Sequence, residues 1–244
     1  MSKVYLKISL VNLKVMSIVK KYNVKIISIE RRSENVYTLE FRSMEKPFVF
    51  EAGQFLHLAI DNADFTEQWP ESRCFSIQSS PNDENIRITY SVKGQFTVRM
   101  KKELTVGKKI TLKLPYGELF TRYHNKSNTV FIAGGTGITP YLSLFNDISF
   151  ASYINPTLYA GFQNEKMNFY INELHLAKTI NPGLNVIFIY QDKQGIIDIN
   201  TILKSSKKDC SFFISGPPLM IKSFKQFFIF NGVPENKIIT DDWD

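Results

Sequence analysis

Between Lys25 and about Leu114, short runs rich in β-branched and aromatic residues alternate with turn formers: KIISIE, VYTLEFRS, QFLHLAI, CFSIQSS, NIRITYSV and KITLKLPYG. Many short strands at this even spacing predict an all-β unit, a barrel or sandwich, with turns at Ser80-Pro81-Asn82-Asp83 and Pro115-Tyr116-Gly117. One stretch breaks the rhythm: Phe96 to Leu104 carries apolar residues at helical spacing after Gly94, which predicts a helix. Past the polar stretch His124-Asn125-Lys126-Ser127-Asn128 the pattern changes. The apolar runs TVFIAG, PTLYAGF, NVIFIYQ and SFFISG alternate with helix-like segments after Pro140, around Asn168 to Lys178, and after Pro218. Such alternation predicts a parallel sheet with right-handed crossovers. The expected fold is two-domain: an N-terminal antiparallel β-barrel over 23–125 and a C-terminal α/β parallel-sheet domain over 126–244, after an N-terminal extension, 1–22.

Composition narrows the class. Of 244 residues, 43% are hydrophobic and 22% charged, enough apolar material for ordinary globular cores. No apolar run approaches the roughly 20 residues of a membrane-spanning helix. The first residues mix apolar positions with Lys3, Lys7, Lys14, Lys20 and Lys21 and carry no cleavable-leader pattern, so the expected location is cytoplasmic. That extension fits an extra strand, a short amphipathic helix or a membrane-surface contact, and its spacing does not choose among them. Cys74 and Cys210 are too few for a disulfide scaffold, a four-cysteine zinc site or an iron–sulfur cluster, so any cluster belongs on another chain. The net charge of +7 favours acidic partners, yet the lysines are scattered and no interleaved basic–aromatic motif points to nucleic acid.

Three constellations carry chemistry. The run AGGTGITP follows the buried strand Thr129–Ala133 and precedes the helical stretch YLSLFNDI. Gly134, Gly135 and Gly137 permit a tight turn and close approach of a pyrophosphate, while Pro140 at a helix start leaves free N–H groups facing the anion. Pro140 stands where the common dinucleotide fingerprint has its third glycine, which argues against the ordinary dehydrogenase arrangement. The run Ser215-Gly216-Pro217-Pro218-Leu219-Met220 likewise ends a buried strand and opens a helix. Ligands of parallel sheets collect at the carboxyl edge of the strands, so both loops can face one nucleotide although they lie about 80 residues apart. The third constellation, Arg73-Cys74-Phe75-Ser76 with Tyr90-Ser91-Val92-Lys93 and Gly94-Gln95-Phe96-Thr97, offers a bidentate diphosphate grip, stacking rings and a hydroxyl.

The order Arg73-x-Phe75-Ser76, then Gly94-x-x-Thr97, then GGTGITP, then SGPPLM resembles the ferredoxin–NADP reductase family over about residues 25 to 243. The resemblance implies a barrel that binds flavin, FAD in preference to FMN, and an α/β domain that binds NADPH or NADH. It implies that Arg73 holds the diphosphate, that Phe75, Tyr90 and Val92 line the flavin, and that Ser76 lies near its N5. Cys74 falls within the same run at a position often apolar in that family, where it is either packed and inert or reactive beside the flavin. Lys93, Gly94, Phe96 and Thr97 would bound the phosphate and adenosine portion. Gly134, Gly135, Thr136, Gly137, Thr139 and Pro140 would receive the nicotinamide nucleotide, with Gly216, Pro217 and Met220 closing the site. Ser76, Ser215 and Trp243 are the candidates nearest the chemistry, Trp243 as the aromatic residue against the flavin face. Two departures stand out: Phe75 replaces a common Tyr, and Ser215 a common Cys.

By this resemblance the chain is an NAD(P)H-dependent flavoprotein oxidoreductase, delivering electrons to a separate acceptor, an acidic ferredoxin-like iron–sulfur carrier. The alternatives are direct reduction of flavin, ferric chelates or quinone without a protein partner, and a nucleotide-binding module without catalysis. A 2′-phosphate would need basic partners near the second α/β strand, where Glu165 and Lys166 pull in opposite directions.

Overall fold

In the computed structural model, residues 18–61 and 68–241 are described. The first half forms six strands: β1 (Lys20–Arg31), β2 (Val36–Ser43), β3 (Phe55–Ala59), β4 (Ser72–Ser76), β5 (Ile86–Ser91) and β6 (Lys109–Tyr116). They pair antiparallel in the order β4-β3-β6-β1-β2-β5, so β4 and β5 end the order and meet at the seam of a nearly closed barrel, where Gln78 N donates to Arg87 O at 2.8 Å. Period-two alternation turns Tyr22, Val24 and Ile26 inward with Ile110, Leu112 and Leu114, and the intervening lysines Lys21, Lys25, Lys109 and Lys113 outward, while Thr111 between them is buried. Helix α1 (Gln95–Glu103) plugs the barrel with Phe96 and Met100, one helical turn apart and both buried.

The second half is a parallel sheet of β7 (Thr129–Gly134), β8 (Thr157–Phe162), β9 (Asn185–Tyr190), β10 (Ser211–Ser215) and β11 (Ile238–Thr240), in the order β11-β10-β7-β8-β9. Its helices are α2 (Thr139–Phe145), α3 (Ile171–Ile180), the single turn α4 (Gln191–Gln194), α5 (Ile199–Ser205) and α6 (Pro218–Phe230). Two separate apolar clusters, one built on Phe131, Tyr141, Phe145 and Phe213 and the other on Ile132, Phe212, Ile214 and Phe228, match a sheet covered on both faces. The expected two-domain class is therefore the observed one. α5, α4 and β11 were not anticipated, and α2 starts at Thr139 after a 3-10 turn over Gly135–Ile138.

Buried and half-buried hydrogen bonds fix the two domains together. Ser143 Oγ on α2 donates to the Ser79 carbonyl at 2.8 Å. The Asp147 carboxylate accepts from Ser80 Oγ at 3.2 Å and Asn82 Nδ2 at 2.8 Å, while its second oxygen caps Ser149 N. Arg32, in the β1–β2 turn, donates to the Phe169 carbonyl and lies over the Phe169 ring. Among the described residues, no helix is long and apolar enough to cross a membrane.

Asp147→Ala strips partners from buried Ser80 across the domain boundary, so it should cost about 1–3 kcal/mol in urea unfolding. A loss below about 0.5 kcal/mol would show that the tie is not structural.

Candidate active site

The loops after β7 and β10 meet because the strands are adjacent, with Ala133 directly opposite Ser215. A Cβ on Gly137 would lie 2.5 Å from Gly216 Cα and 2.6 Å from the Ser215 carbonyl carbon, so backbone sits on backbone and only glycine fits. A Cβ on Gly134 would strike Pro217 Cδ at 2.8 Å and Met220 Sδ at 3.0 Å. Gly134, Gly137, Gly216, Pro217 and Met220 thus form one cradle. Gly135 differs: at φ +56° it faces open space, as does Gly94 at the start of α1. Thr136 and Thr139 close the 3-10 turn through a bond from Thr139 Oγ1 to the Thr136 carbonyl, and Pro140 lies in the first turn of α2. Bare glycines, a close backbone and free N–H groups suit a diphosphate.

On the barrel, Phe75 and Tyr90 cross the seam edge-to-face at 6.1 Å, and Tyr90 stacks on Tyr37 at 5.7 Å. Both are nearly buried, Val92 packs beside them, and burial raises the Tyr90 hydroxyl far beyond its ordinary range. Arg73, on the same face of β4 as Phe75, reaches solvent over the Phe96 ring and pairs with Glu71 at 2.9 Å. The Thr97 hydroxyl accepts from Lys93 N at 2.9 Å and Gly94 N at 3.1 Å and donates to the Gly94 carbonyl. Its oxygen is thereby committed to shaping the turn around Gly94.

Between barrel and sheet lies a contact that sequence reasoning missed. The Asp241 carboxylate, just past β11, accepts from Ser215 Oγ at 2.9 Å and from Ser76 Oγ at 3.4 Å. Ser76 ends β4 and Ser215 ends β10, so one carboxylate joins the two predicted hydroxyls across the domain boundary. Both serines are buried. The nearest sequence signal is Trp243, two residues on, which lies outside the described residues.

Cys74 is not brought to this site. Strand alternation turns it to the opposite face of β4 from Arg73 and Phe75, where Sγ lies 3.5 Å from His57 Nε2. Burial pushes the Cys74 thiol up, partly offset by Arg73, and burial together with Lys113 holds His57 below the usual imidazole range. The pair is thus a neutral thiol against a neutral ring, the opposite of an activated nucleophile. Among the described residues, no cluster of three His, Cys, Asp or Glu side chains suits a metal ion.

A seamed antiparallel barrel followed by a parallel sheet with two glycine loops at its carboxyl edge is the architecture of the ferredoxin–NADP reductase-like flavoproteins. A ferredoxin NADP+ reductase from Neisseria gonorrhoeae, solved with bound FAD and NADP, superposes with a TM-score of 0.74 at 19% identity, covering 91% of this chain and 98% of that one. A family model described as an FAD-binding domain matches residues 19–218, and the chain belongs to that family. Similar curated proteins include methane monooxygenase component C of Methylosinus trichosporium, 27% identical over 73% of this chain. The reductase component of propane 2-monooxygenase from Mycolicibacterium goodii is 23% identical over 90% of it. The chain spans 54% and 66% of those two proteins.

Gly137→Ala should force the β7 and β10 loops apart and weaken nicotinamide-nucleotide binding at least tenfold by titration calorimetry, while flavin content stays unchanged. Equal loss of both cofactors would show instead that the two sites are not separate. The raised thiols give a second expectation: burial pushes Cys210 up to about 12. Both cysteines should react with a disulfide reagent at pH 8 far more slowly in the native chain than in urea.

Proposed function

We propose that this chain is an NAD(P)H-dependent flavoprotein oxidoreductase that passes electrons to a separate acceptor, an acidic iron–sulfur protein. The observation that supports it best is the Ser76–Asp241–Ser215 contact, which puts an oriented hydroxyl from each domain at one point. The flavin ring of FAD would lie along the Phe75, Tyr90 and Val92 seam. Its diphosphate would run past Arg73, Lys93 and Gly94 to the first turn of α1, with Phe96 under the guanidinium. Releasing Arg73 from Glu71 is cheap, because an exposed ion pair is worth only about 0–1 kcal/mol. When bound, FAD supplies the acceptance of a hydride from the nicotinamide and the return of electrons singly or as a pair.

The chain's own residues supply position. Asp241 holds the Ser76 and Ser215 hydroxyls in fixed rotamers, so they present their remaining lone pairs and edges to the two rings without searching. The Gly134–Gly137 turn and Gly216 admit the nucleotide diphosphate, and Met220 and Pro217 wall one side. The adenosine end would reach the carboxyl ends of β8 and β9. There Glu165 and Lys193 form an ion pair at 2.8 Å, and Asp192 adds a second carboxylate. The Glu165 and Asp192 carboxylates would repel a 2′-phosphate, whereas a ribose hydroxyl can donate to either, so the coenzyme is NADH. The net charge of +7 would steer an acidic acceptor.

Anaerobic mixing of the flavin-loaded chain with NADH should bleach its visible flavin absorbance faster than NADPH does. A colourless protein with which neither coenzyme reduces added flavin would sink the reading. Asp241→Asn should slow bleaching by about 10- to 100-fold with the flavin retained. Glu165→Gln should shift the NADH-to-NADPH ratio of kcat/KM by about tenfold toward NADPH, the value of one charge-assisted contact. Turnover with ferric chelates equal to that with an acidic iron–sulfur carrier would argue against a dedicated partner.

A further inference from the structure

The strands β1 and β6 lie in the middle of the barrel order, diametrically opposite the β4–β5 seam. Their inward residues fill the core, but their outward residues set Lys21 directly opposite Lys113 and Lys25 directly opposite Lys109. Like charges facing each other across a ladder destabilise a sheet, and nothing in the core requires lysine at these positions. Among the described residues, no carboxylate forms an ion pair with Lys25, Lys109 or Lys113, whereas nearby Lys108 pairs with Glu103 at 3.8 Å. Of the acids along β1, Glu45 accepts a hydrogen bond from Asn23 at 2.8 Å, and Glu30 and Glu40, beyond the stripe, accept from Arg32 and Asn85. Lys113 instead lies over the Trp69 ring and Lys46 over the Tyr22 ring.

Exposed apolar residues flank this stripe at both ends. At one end is Ile18, 75% exposed, and along one side is Met44, 47% exposed, whose N–H donates to the carbonyl of Asn23, midway between Lys21 and Lys25. At the other is Val106, 62% exposed, next to Gly107, whose N–H donates to the Ile26 carbonyl. The sequence leading into β1 has the same character. From Met1 to Ile29 there are six lysines, many aliphatic residues and no Asp or Glu.

We propose that the outer face of β1 and β6, together with the apolar residues at its ends, docks the chain on an anionic lipid surface. An acidic redox partner is a poor occupant, because electrons would have to cross the full width of the barrel to reach it from the seam. A nucleic acid is also a poor one: its backbone rewards cations and stacking rings, not exposed Ile, Val and Met. An anionic bilayer takes both components, phosphate groups for the lysines and the acyl boundary for the aliphatic side chains. Docked this way, the chain turns the seam and both glycine loops away from the lipid.

The test is flotation of the full chain with vesicles of phosphatidylcholine alone and with vesicles containing phosphatidylglycerol, over a salt series. Binding should occur only to the anionic vesicles and fall as salt rises. The triple variant Lys25→Glu, Lys109→Glu, Lys113→Glu should lower the bound fraction at low salt at least about tenfold. The milder pair Lys25→Gln and Lys109→Gln should lower it less while keeping the circular dichroism spectrum. A charge-matched control, Lys204→Glu, Lys207→Glu, Lys208→Glu in the other domain, should bind as the unaltered chain does. Three results overturn the proposal: no binding to anionic vesicles at low salt, equal loss in the control, or retention by double-stranded DNA without retention by vesicles. The readout is lipid binding alone, so it stands apart from whether the chain reduces a flavin.

Discussion

The contact of Gly137 with Gly216 is the closest approach on which the site depends. With 2.5 Å between a would-be Cβ and the opposing backbone, no side chain separates the β7 and β10 loops. Because the loops touch, Pro217 and Met220 reach over Gly134, and the end of β10 is drawn to the edge facing the barrel. On its other side β10 sets Ile214 opposite Thr240, which brings Ser215 within reach of Asp241, and Asp241 in turn reaches Ser76. A larger residue at position 137 would move several partners at once, since packed backbone has no rotamer with which to relieve a clash.

The second requirement is that the domains hold one relation to each other. Ser76 and Ser215 belong to different cores, and their common partner is useful only if those cores do not drift. The ties through Ser143, Asp147 and Arg32 are hydrogen bonds to groups that folding removes from water, either wholly or in part. Such groups are costly to leave unpaired, so the boundary behaves as a specified interface and not a loose hinge.

Much of this was legible in the chain. Strand period, turn residues and the change of rhythm after His124 lead to the barrel and the parallel sheet, because those signals are local and each core needs one apolar face per strand. The glycine loops were legible for the same reason. What escaped was of two kinds. Short elements such as α5 and β11 carry too few residues to show a period, although Asp198 does cap α5 by accepting from Asn200 N. Asp241 was hidden by distance: it meets Ser76 across 165 residues of sequence, and no spacing rule encodes such a pairing. Cys74 is the instructive case, since strict alternation along β4 already sets it on the other face from Arg73 and Phe75.

The carriage of Asp241 by β11 has a dynamic consequence. That strand is three residues long and, among the described residues, pairs with β10 alone. Edge strands of this length fray at free energies well below global unfolding, and amide exchange there reports the local opening. Each such opening withdraws the carboxylate that links Ser76 to Ser215 while both cores stay intact. The fraction of molecules with a complete site is therefore set by a local equilibrium at the margin of the sheet, and a change that firms β11 acts on the site without touching either serine.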